Sequence, residues 1–152
     1  MSSRDISKNR QQMDDLFKSS AGFGPELQIH WSRYLCVVVA GFIETSVQSV
    51  YSDYAETKSH ANITRFVDMN MQRFRNPNMQ KILDVTRSFN PNWAKEMEEF
   101  SNDRVRDSIN SILANRNLIA HGKSTEITVG RLRPWYKDAV LLIEFMQRQC
   151  ES

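Results

Sequence analysis

Apolar residues along this chain recur at steps of three and four, the spacing of one helix face. The one strand-like alternation, Glu126-Ile127-Thr128-Val129, is too short to build a sheet. Ile6, Met13, Leu16 and Phe17 fit a helix lying lightly on the body, behind a few N-terminal residues expected to be mobile. A turn through Gly22 and Gly24 follows, with Pro25 placed to open the next helix. Residues 26–57 then read as one long helix without internal proline. Between residues 35 and 43 it is apolar all round, which marks a central buried helix. Gly41 interrupts that run and reads as a place where another helix comes close.

Further helices are expected over 61–74, 79–88 and 93–100, separated at Asn76-Pro77-Asn78 and Asn90-Pro91-Asn92. Ser101-Asn102-Asp103 supplies N-cap residues for the next one, which Val105, Ile109, Ile112 and Ile119 trace at helical period. Gly122 is its natural stop. Residues 123–130 read as loop, and Leu132-Arg133-Pro134 leads into a last helix over 135–147. The pattern predicts an all-α bundle around a long central helix, divided into an N-terminal helical segment, 1–20, and a main domain, 21–152.

Composition agrees with this picture. Five glycines and four prolines in 152 residues are too few for a turn-rich β fold, and the length supports a core without staples. A net charge of +2 argues against coating nucleic acid by bulk charge, while leaving room for a local basic patch. Cys36 and Cys150 are isolated thiols, Cys36 in the most apolar run, and neither a disulfide nor a zinc site is expected. The N-terminus lacks the apolar core of a signal peptide, and the run over 35–43 is about half a membrane span. The expectation is a cytoplasmic protein with no membrane partner, no metal and no cofactor. The acidic Glu96-Met97-Glu98-Glu99 reads as a solvated face, and His30 and His60 have no orienting partners.

The candidate chemistry is concentrated in Asn115-Arg116-Asn117-Leu118-Ile119-Ala120-His121-Gly122. Arginine steadies a pentavalent phosphate and histidine moves protons near neutral pH, so the two together suit RNA cleavage without a metal. At about 100° per residue Arg116 falls within the apolar stripe, where a charge needs a partner. Glu44, at the end of the buried run, has two readings: a solvated carboxylate, or the buried partner of Arg116. Asn117 and His121 are four residues apart and share a neighbouring face with Asn110.

Arg116-Asn117-Leu118-Ile119-Ala120-His121-Gly122 resembles the Arg-x4–6-His signature of the HEPN superfamily, with the usual polar residue after the arginine. The run Leu35 to Glu44, ending in Gly-Phe-Ile-Glu, resembles the long second helix of the RiboL-PSP-HEPN branch. The similarity spans about residues 26–147. It implies a HEPN-like helical bundle, a homodimer and frequently a metal-independent endoribonuclease, often a toxin or antiphage-defence component with a cognate antitoxin or system partner. Arg116 would then clamp phosphate, Asn117 orient it, and His121 act as acid or base. Lys123, Arg131 and Arg133, after the motif, and Arg104 and Arg106, before it, are candidate contacts to the RNA backbone, although solubility explains each one singly. Some relatives are inactive scaffolds, which leaves a non-catalytic dimerisation or interaction module as the competing function.

Overall fold

The computed structural model describes residues 3–151, so the mobility expected of the first few residues falls largely outside them. Six helices follow one another: α1 (Ser3–Ser19), α2 (Pro25–Lys58), α3 (Ala61–Met71), α4 (Met79–Phe89), α5 (Pro91–Ala120) and α6 (Val129–Glu151). No strand occurs among the described residues.

The 34-residue α2 is the spine of the bundle. Pro25 occupies its first turn, where the missing N–H costs nothing. Leu35, Cys36, Val39, Ile43, Val47 and Tyr51 are almost fully buried along it. By length and composition α2 could cross a bilayer, but most of its apolar stretch is buried against other helices, as befits a core helix. The all-round burial expected over 35–43 is incomplete, because Val37 remains 39% exposed. A Cβ placed on Gly41 would meet nothing within 4 Å, so the close helix approach expected there is absent among the described residues. One strip of α2 is left open.

α5 and α6 pack on α2, and α4 packs on α5. α2 and α5 are antiparallel: Tyr54 meets Trp93 edge-on at one end, and Arg33 Nη1 donates to the Lys123 carbonyl at the other. α1 is held more firmly than its polar sequence suggests. Ile6, Met13 and Phe17 are buried, Arg10 pairs with Glu144 at 2.7 Å, and the Tyr136 hydroxyl donates to Asp14 at 3.1 Å.

The expected break at 101–103 survives as a kink inside α5. Asn102 has φ 39° and ψ −157°, and its Oδ1 accepts the Arg104 N–H at 2.8 Å, a capping bond made in mid-element. The last helix starts six residues earlier than predicted. The Thr128 hydroxyl accepts the Arg131 N–H at 3.0 Å, and that cap opens α6 ahead of Pro134, which is carried inside the helix.

Candidate functional site

α5 ends in a complete Schellman motif. Gly122 adopts φ 68°, its N–H bonds the Ile119 carbonyl at 3.0 Å, and the Lys123 N–H bonds Leu118 at 2.8 Å. His121 is therefore the C-cap residue, still tied by its own N–H to the Asn117 carbonyl at 3.1 Å, with its side chain exposed. The loop that follows folds back. The Thr125 hydroxyl bonds Asn115 Oδ1, Asn115 in turn donates to the Ser111 carbonyl at 2.8 Å, and Ile127 is buried. With the Arg33 bond to Lys123, both sides of His121 are anchored.

Arg116 is half-buried one turn earlier, and its Nη1 makes a long 3.4 Å contact with Asn117 Oδ1. No carboxylate lies within ion-pair distance of it among the described residues. The pair expected between Glu44 and Arg116 does not form. Glu44 Oε1 accepts the Asn76 N–H at 2.8 Å, and Oε2 lies 3.9 Å from Arg75 Nη1. The cause is the level at which two antiparallel helices meet. The Cys36 thiol donates to the Ile112 carbonyl at 3.6 Å, which sets these residues side by side. From that level Glu44 lies two turns one way and Arg116 one turn the other, about 18 Å apart along the axes at 1.5 Å per residue. Periodicity had placed both toward the core, but at different heights.

The five basic candidates have different fates. Arg104 Nε lies 3.4 Å from Asp138, which also accepts the Ser108 hydroxyl at 2.7 Å; this is a structural tie between α5 and α6. Arg133 covers the Phe17 ring at 5.2 Å, and Arg131 lies 3.9 Å from Glu126. Lys123 is exposed two residues after His121. Arg106 is half-buried without a carboxylate partner among the described residues. It shares a groove with Asn110 and Asn117, so two of the three polar residues on that face of α5 meet one surface feature. Asn78 and Gln80, from the start of α4, line the same groove and were not anticipated. The signal available for Asn78 was its N-cap position, which gives no hint that it faces α5.

Cys36 is fully buried, and burial pushes its thiol up to about 11; the Cys150 thiol is raised likewise to about 11. Neither suits nucleophilic work. No group of three metal-ligating side chains is found among the described residues.

The arrangement offers an arginine with no carboxylate partner among the described residues, an amide and an exposed imidazole within two turns of a capped helix end. Such a set can bind a phosphodiester and exchange a proton with it. A family model described as RiboL-PSP-HEPN matches residues 3–152. Comparison with curated proteins and with solved structures gave no match.

Proposed function

Because the chain belongs to the RiboL-PSP-HEPN family, we propose that it is a metal-independent endoribonuclease working as a homodimer. The observation that carries this reading is the end of α5: Arg116 without a carboxylate partner among the described residues, and His121 exposed on an anchored cap. In the reaction the substrate's 2′-hydroxyl is the nucleophile. A base removes its proton, it attacks the adjacent phosphorus, and an acid protonates the departing 5′-oxygen. The products are a 2′,3′-cyclic phosphate and a 5′-hydroxyl. Arg116 takes the charge that grows on the non-bridging oxygens, and Asn117 orients them.

Two proton transfers are served better by two histidines than by one, and a two-fold pair with both motifs at its seam provides them. An exposed strip supports that seam. Leu27, Tyr34 and Val37 share one face of α2 with the open Gly41, and Leu118 is exposed within the motif. A cytosolic toxin or antiphage-defence role, restrained by a cognate partner, belongs to the same reading.

The test is incubation of the purified protein with cellular RNA in EDTA. Cleavage is expected to persist, to fall about 100- to 10,000-fold in His121→Ala, and to be lost in Arg116→Lys, which keeps the charge but not the fork. Activity that survives His121→Ala, or that needs magnesium, sinks the proposal. An inactive wild type leaves the non-catalytic interaction module.

A further inference from the structure

Between the N-terminus of α4 and the middle of α5 lies a groove of about 510 Å³, lined by Asn78, Gln80, Arg106, Asn110 and Asn117 beside the apolar Met79 and Leu83. It reaches Asn117, the residue after Arg116. Two of its carboxamides, on Asn110 and Asn78, are fixed in the same hydrogen-bonding sense. Asn110 Oδ1 accepts the Met79 N–H at 3.0 Å, and Asn78 Oδ1 accepts the Lys81 N–H at 2.9 Å. A backbone N–H can only donate, so both carboxamides are fixed with the oxygen used and the NH2 group left over. Neither NH2 has a partner among the described residues. Asn117 Oδ1 is likewise turned to Arg116. Arg106 adds a half-buried guanidinium with no carboxylate partner among the described residues, since Glu98, which also lines the groove, lies 3.5 Å from Arg87. Gln80 spends its amide on Asp84 at 2.9 Å and keeps an oxygen, an acceptor in a donor-rich wall.

The exposed NH2 groups of Asn78 and Asn110, grouped with the half-buried Arg106 guanidinium, suit an occupant that is negative and rich in acceptors, although Glu98 and the Gln80 oxygen line the same groove. Phosphate, ribose and keto-base oxygens have that character. Arg106 stands ten residues before Arg116, about 15 Å along a helix, so a phosphate on it belongs to a flanking nucleotide and not to the scissile one.

We propose that this groove holds the flanking stretch of the RNA strand, with a phosphate on Arg106 and sugar or base oxygens on the NH2 groups of Asn78 and Asn110. This rests on the ribonuclease reading and adds to it a second binding region, contributed by α4.

Two substitutions invert the groove while keeping the fold. Asn78→Asp retains a good N-cap, and Asn110→Asp retains an acceptor for Met79, yet each replaces a donor by a negative acceptor. Binding is measured by fluorescence anisotropy with 2′-O-methyl oligoribonucleotides of mixed sequence, in which the nucleophile is blocked. The double variant and Arg106→Gln are each expected to bind at least about tenfold more weakly with unchanged melting. Arg106→Gln is also expected to reduce the log–log salt slope by about 0.7, one phosphate's share for single strands. Variants that bind like wild type with the same slope overturn the groove while leaving His121-dependent cleavage intact. Oligonucleotide binding that weakens in the variants, from a wild type that cuts no RNA, overturns the ribonuclease and keeps the groove. A wild type that neither binds nor cuts overturns both.

Discussion

Glu44 closes the turn between α3 and α4 by accepting the backbone N–H of Asn76 at 2.8 Å. Asn76 itself sits at φ 48°, in the left-handed region, so the carboxylate holds a turn that has little intrinsic preference to form. Glu44 is mostly buried and Arg116 has no ion pair among the described residues, so their substitution should have unequal consequences. Glu44→Ala is expected to destabilise by about 1.5–3 kcal/mol, the range for a hydrogen bond to a charged group. Arg116→Met should cost less than about 1 kcal/mol, since no buried partner is orphaned. Urea denaturation of the two variants decides; equal losses would mean that the two residues are coupled after all.

Gly122 is required by backbone geometry and not by space. Nothing lies within 4 Å of a Cβ built there, but φ is 68°. Gly122→Ala is expected to cost about 1 kcal/mol through that dihedral alone. Because the same residue sets the cap at His121, RNA cleavage should fall further than the lost stability explains. Paired melting curves and cleavage rates read this directly, and an unchanged rate would detach the cap from the chemistry.

The open strip on α2 leads to a prediction about assembly. Val37→Glu adds a charge at a position already 39% exposed, so the fold should tolerate it. In a two-fold seam that charge would meet its own copy. The expected result is a monomer by sedimentation at tens of micromolar, the usual range for such runs, with normal helicity and no RNA cleavage. A Val37→Glu protein that sediments like wild type moves the seam elsewhere.

Alkali should weaken the fold. Burial pushes the Tyr51 phenol above its ordinary range, although the bond to Thr86 at 2.6 Å acts the other way. Burial, then the charge and hydrogen bond of Asp14, push Tyr136 up too. The thiols of Cys36 and Cys150 rise to about 11. In each case the unfolded chain loses its proton first, near 8.5 for a thiol and 10 for a phenol. Above those values the unfolded state binds fewer protons, so stability present at neutral pH is lost as pH rises. Melting temperature should drop between pH 9 and pH 11, and less steeply in Tyr136→Phe. A flat profile would contradict the burial of these groups. At pH 8 Cys36 should resist thiol reagents unless denaturant is added.

Much of the helix order could be read from neighbouring residues because those features are settled locally. Pro25, Asn90-Pro91 and Gly122 act through a few adjacent dihedrals, and each stands at the helix boundary assigned to it. Asn102 has the sequence of a cap and makes the capping bond, although the chain resumes its helix at once. Pro134 is the louder sequence signal, yet the Thr128 cap opens α6 six residues before the start that the proline suggests. The motif from Arg116 to His121 was legible for the same local reason: its spacing and the glycine after it need no distant partner. The partner of Glu44, the open face at Gly41 and the groove joining Asn78 to Asn110 were not legible. Each depends on the height and angle at which α2, α4 and α5 meet. Helical period reports which way a side chain points around its own axis, but not what stands opposite it. That is decided when the bundle closes, by contacts such as that of Cys36 with Ile112, 76 residues away in the chain.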